Sequence, residues 1–181
     1  MIRSVPALFI AGSLLTLAAC SHSHHSRVAD VATTVTDPSI EGKWKVSNDR
    51  TLTITKSGKD HYKVKPSDSD STYDACLLDL NGKRFAELEV HDPKNSKEVP
   101  VYLYGGITVK GDTLTFRRLR AEWLEHMAKG DQGVAFKSTG DVQPHSGGAV
   151  VSDPAKLHEL LQKAATDPAA LGEPEVGHRE K

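Results

Sequence analysis

The chain has 181 residues, a formal net charge of −1 and two cysteines. A near-neutral balance excludes the basic footprint of a nucleic-acid binder, and so few cysteines exclude a disulfide scaffold. Once a leader of 19 residues is removed, for the reason given next, the length suits one domain and not two.

Chain order begins with Arg3 and an apolar run from Val5 to Leu17. The run is shorter than the roughly 20 apolar residues that span a bilayer, and Pro6, Gly12 and Ser13 interrupt it. A basic start, an apolar stretch and small residues at its end make a secretory signal over 1–19. It closes on Leu17-Ala18-Ala19-Cys20, which resembles the lipobox of bacterial lipoproteins. The resemblance implies cleavage between Ala19 and Cys20, a diacylglyceryl thioether on the Cys20 sulfur, and further acylation with palmitate-type chains. Several chains at one residue give stable anchoring where a single chain is marginal. Ser21, where Asp would signal inner-membrane retention, implies the outer membrane. With Cys20 lipidated, Cys76 has no disulfide partner within the chain, and its apolar neighbours make it a small core residue.

Residues 20–40 show no sustained period and read as the lipidated N-terminus and a flexible tether. His22, His24 and His25 carry imidazoles suited to Zn, Cu or Ni, but each ligand fixed on a mobile tether costs ordering entropy. The expectation is a solvated linker with no assigned metal.

From Gly42 to Phe116 the apolar pattern has period two. Leu52 alternates with Ile54, Tyr62 with Val64, Cys76 with Leu78 and Leu80, and Ala86 with Leu88 and Val90. Asn81-Gly82 between two such runs is a strong hairpin signal, and Ser57–Asp60 and Lys110–Asp112 supply further turns. Residues 99–104, 107–109 and 113–116 read as three more strands, giving seven or eight joined locally into a meander.

The period then changes. Leu119, Trp123 and Met127 recur at four as a helix stopped by Gly130. After a Gly- and Pro-rich loop, Ala149–Val151 reads as one more short strand. Asp153-Pro154 then caps a second helix with Leu157, Leu160, Leu161 and Ala164 on one face. Residues 167–181, rich in Pro, Gly and charge, read as a disordered tail. The fold class is α+β: an antiparallel meander over 41–166, curled into a small barrel or strongly bent sheet, with two C-terminal helices.

Gly42-Lys43-Trp44 at the head of the first strand resembles the G-x-W of lipocalins and related calycin barrels. The resemblance implies a Trp at the barrel floor packed under an arginine from the last strand, the place Arg117 or Arg118 would take. Strands this short favour an interior filled by side chains over a ligand cup.

Searches for catalytic patterns come back empty. His158-Glu159 lacks a histidine four residues on, and no serine lies in a nucleophile elbow. His91-Asp92-Pro93 and Asp68-Ser69-Asp70 read as ordinary turns. The sequence therefore predicts a non-enzymatic, cofactor-free domain, held at the membrane through Cys20 and binding a protein or envelope component. A lipocalin-like carrier of a small apolar ligand is the alternative, with its ligand-binding residues unknown.

Overall fold

The computed structural model describes residues 27–30, 32–46, 50–91, 93, 101–129 and 153–180. The strands are β1 (Thr34–Val35), β2 (Gly42–Lys45), β3 (Thr51–Lys56), β4 (His61–Pro66), β5 (Thr72–Leu80), β6 (Lys83–His91), β7 (Val101–Lys110), β8 (Thr113–Leu119) and β9 (Leu171–Arg179). Helices α1 (Ala121–Ala128) and α2 (Pro154–Thr166) lie between β8 and β9 in sequence.

Strands β2 to β8 pair antiparallel in chain order, and β9 enters between β8 and β2. With β5 pairing β6 as well, the eight strands β2–β9 close into a barrel, and β1 is an extra strand laid on β5. Closure pairs the two outer edges that a meander of this size otherwise exposes. The hairpin between β5 and β6 turns at Asn81 (φ 55°) and Gly82 (φ 75°), the two positive-φ positions that Asn-Gly tolerates. The two strands expected over 99–109 are one continuous strand, β7, running through Gly105 and Gly106.

Period-two alternation divides the apolar residues between two cores. Trp44, Ile54, Tyr62, Ala75, Leu77, Ala86, Ile107 and Leu114 point inward and form one buried cluster with Ile40. Leu78, Leu80 and Phe85 point outward and are covered by Leu157, Leu160, Leu161 and Ala164 of α2, Leu124 of α1 and Val28. The amphipathic face of α2 is thus explained by the outer wall it covers. Its start is fixed by Asp153, whose carboxylate accepts from the Ala155 N–H at 2.9 Å.

Two expected boundaries are corrected. Residues 167–181 are not a frayed tail: a 3₁₀ turn over Pro168–Ala170 leads into β9, the strand that closes the barrel. Its side chains are mostly exposed, so hydrophobicity does not announce it; it is held by ladders to β8 and β2. Nor does the flexible tether extend to residue 40. A 3₁₀ turn at Val28–Asp30, strand β1 and a second 3₁₀ turn at Pro38–Ile40 wrap the barrel, with Val28 and Ile40 buried. Short apolar residues one at a time anchor this strap, which is why no period marks it. Cys20, Ala19, His22, His24, His25 and Ala149–Val151 lie outside the described residues.

Candidate functional site

Two places on the barrel concentrate polar chemistry: a floor and a clasp on the outer wall.

At the floor, Trp44 is fully buried and its indole N–H donates to the Ile40 carbonyl at 2.7 Å. The guanidinium of Arg179 lies over the Trp44 ring, 4.2 Å from its centroid. Arg179 also donates to the carbonyls of Glu41 (2.7 Å) and Ser39 (2.6 Å), so one side chain ties β9 to the N-terminal strap. Gly42 has φ +127°, and a Cβ there would meet Arg179 Nη1 at 2.7 Å. The first glycine of the G-x-W pattern is therefore required by conformation and by the approach of this arginine. The arginine over the tryptophan is Arg179, not Arg117 or Arg118. Arg117 donates from Nε to the Gly172 carbonyl (2.9 Å) and from Nη2 to that of Leu171 (3.3 Å), holding β9 where its register with β8 shifts. The last strand legible in the sequence ends at Phe116, whereas the strand that closes the barrel, β9, lies beyond both helices.

The clasp is built around Glu87, which is 0 % exposed although it points out of the barrel. Its carboxylate accepts from Arg27 Nε (2.9 Å), the Ala29 N–H (3.2 Å) and the Tyr104 hydroxyl (3.1 Å). Burying a carboxylate is costly unless it is paired and fully hydrogen-bonded, and here it is both. Burial opposes the Arg27 charge, yet the hydrogen bond to Glu87 and the nearby carboxylates raise its pKa further above the usual arginine range. The Tyr104 hydroxyl is pushed up by burial and by Glu87, so it stays a donor. Cys76 borders the clasp: its Sγ accepts from Arg27 Nη2 (3.3 Å) and lies 3.1 Å from His61 Nδ1. This pairing has the outline of a thiol–imidazole dyad, but the environment is wrong for a nucleophile. Burial raises the thiol to about 11 against the partial relief that Arg27 gives, so it is protonated near neutrality. Cys76 is a structural residue with a polar neighbour.

Elsewhere in the interior, the inward residues Leu52, Val64, Leu88 and Phe116 are only partly buried; Leu52 pairs across from Trp44 and Val64 across from Ile54. Arg118 and Glu175 stand 3.8 Å apart, both substantially exposed.

The other polar features singled out in the sequence stay apart. His91 pairs with Asp74 (2.9 Å) and Asp68 with Arg50 (3.2 Å), while His158 lies 3.4 Å from Gln162. Arg120, before α1, lies 4.0 Å from Glu122. Among the described residues no three His, Cys, Asp or Glu side chains gather as metal ligands. No described helix is long and apolar enough to cross a membrane. The Arg27–Glu87 clasp was missed by sequence reasoning because its members are 60 positions apart; an acid in the middle of an alternating strand, flanked by Ala86 and Leu88, is its one local trace.

Comparison of the chain with protein-family models, with curated proteins and with solved structures finds no significant match. The closed eight-stranded antiparallel barrel is compatible with a lipocalin-like fold, and that likeness is one of architecture.

Proposed function

We propose that this chain is a lipoprotein of the bacterial cell envelope, lipidated at Cys20. Its barrel binds a protein or other envelope component and carries out no chemistry of its own. The observation that carries the reading is the clasp: Arg27, seven positions after Cys20, is already locked to buried Glu87. A folded domain that begins so soon after a lipobox is a domain displayed at a membrane surface. Ser21 after the lipidated cysteine favours the outer membrane. The barrel interior is occupied by Trp44, Tyr62, Ile54, Leu77 and Leu114, which favours binding by the surface over binding in a deep cup. The test is affinity capture from detergent-solubilised envelope beside an unrelated lipidated domain. The reading expects one component enriched in near-stoichiometric amount; equal recovery on both baits would overturn it.

A second reading is a carrier of a small apolar ligand, favoured by the partly buried inward residues Leu52, Val64, Leu88 and Phe116. Native mass spectrometry of gently purified protein tests it: a retained small molecule supports the carrier, and a bare domain rejects it.

A further inference from the structure

The outer face of β2–β4 carries Lys43, Lys45, Lys63 and Lys65 around a row of threonines. Register places them: Lys43 lies opposite Thr53, and Thr53 opposite Lys65, in one line across three strands. Lys45 opposite Thr51 and Lys63 opposite Thr55 flank that line. Alternation sends Trp44, Leu52, Ile54, Tyr62 and Val64 inward, so all four lysines point out, and all four are exposed. Among the described residues Lys43, Lys63 and Lys65 form no ion pair. Carboxylates stand at the rim: Glu41 ahead of β2, Asp74 opposite Lys63, and Glu180, which accepts from the Thr51 hydroxyl at 3.2 Å. Asp74 is already engaged by His91. A chain with formal charge −1 thus keeps one flat wall with an excess of lysines.

The second observation is where the chain arrives. Arg27 is seated over β5 and β6, against Cys76 and Glu87, and the cross-strand neighbour of Cys76 on β4 is His61, two positions from Lys63. Six residues, 21–26, separate it from Cys20. Fully extended they reach about 25 Å, and as a flexible segment they average about 15 Å. A tether that short keeps the neighbouring wall close to whatever surface holds Cys20.

We propose that the Lys43–Lys63–Lys65 wall rests on the anionic lipid headgroups of the membrane that carries Cys20, so that the barrel is docked in one orientation. The tether half of this inference rests on the anchoring proposed above; the lysine wall does not. Each lysine near an anionic lipid surface contributes about fivefold in association, so three give on the order of 100-fold. Headgroup phosphates accept from the ammonium groups, and the threonine hydroxyls between them offer further donors.

The test uses the full-length mature protein purified from its own membranes and placed in vesicles of phosphatidylcholine alone or enriched in phosphatidylglycerol. A membrane-impermeant amine-acylating reagent is applied, and each lysine is read by mass spectrometry. Lys43, Lys63 and Lys65 are expected to react about five- to tenfold more slowly on the anionic vesicles, recovering in about 0.5 M salt as screening shortens the interaction. Lys110 on β7, on the far side of the barrel from β3, and Lys83 at the turn end of β6, two strands from β4, react equally on both. Equal rates for every lysine, or slowing confined to Lys110 and Lys83, overturn the proposal. Full reactivity on vesicles with protection by soluble polyglutamate overturns it in favour of an acidic macromolecule. Intact mass of the same sample separates the two ideas. Lipid present with unprotected lysines defeats the docking alone. Lipid absent with protected lysines defeats the anchoring alone. Loss of both defeats both.

Discussion

Glu87 and Arg27 hold each other where neither would be stable alone. Replacing Glu87 by Ala leaves the Arg27 charge with only its longer 3.9 Å contact to Glu89 and strips the Tyr104 hydroxyl and the Ala29 N–H of their acceptor. The expected loss is about 3–5 kcal/mol, the range for breaking a buried pair from one side. Urea unfolding of Glu87→Ala, Arg27→Ala and the double variant measures it, and a coupling near zero would contradict the clasp. Cys76 gives a pH prediction with a definite sign. Its thiol is raised from 9.0 to about 11, chiefly by burial. The folded state therefore holds the proton more tightly than the unfolded chain. The stability this confers is fully present below pH 9 and is lost as pH rises through about 11. Alkylation of the folded protein at pH 8 should run on the order of 100-fold slower than that of a free thiol. Cys76→Ala should flatten the alkaline part of the stability profile, and an unchanged profile would count against the assignment. Gly105 tests the packing of the interior: a Cβ there would lie 2.6 Å from the Phe116 ring and from the Arg117 carbonyl. Gly105→Ala should cost about 1–3 kcal/mol by overpacking, read as a lowered urea midpoint.

At the scale of elements, the decisive strand is the one the sequence hides. β9 offers Leu171 and Val176 as its large apolar residues, and Val176 is 40 % exposed. Gly177 lies where β9 crosses the floor, and a Cβ there would approach that of Trp44 to 3.2 Å. Backbone ladders on both sides, not burial, hold β9, and no single-chain pattern reports long-range pairing. Where burial does set the pattern, the sequence is legible: Leu52 and Ile54, Ala86 and Leu88, and the α2 stripe all lie on the faces that alternation and helical period predict. The Asn81-Gly82 turn and the Asp153 cap follow from local chemistry alone. At the floor, Gly42 and Trp44 were legible and Arg179 was not, because it lies 135 positions from Trp44 and beyond a segment that reads as disordered. Truncation after Asp167 removes β9 and leaves β8 and β2 as open edges. We expect that variant to lose its cooperative thermal transition by circular dichroism; a native-like melt would show that the barrel does not depend on β9. Arg179→Ala, which keeps the strand, should cost only about 1–2 kcal/mol, the worth of the ring contact and its hydrogen bonds.

At the scale of the whole molecule, the proposed anchor at Cys20 lies only seven positions ahead of the clasp at Arg27. The strap from Arg27 to Ile40 runs from the outer wall to the floor, and Arg179 fastens its far end. Clasp and floor are therefore joined by the strap, and on the proposed anchoring the barrel stays close to the surface that holds Cys20. The central claim is that this anchor exists. Intact-mass analysis of the mature protein purified from its own membranes tests it most directly. The account predicts a chain beginning at Cys20 with a diacylglyceryl and acyl increment confined to that residue. A mature chain whose Cys20 is unmodified, or one that retains residues 1–19, would contradict it.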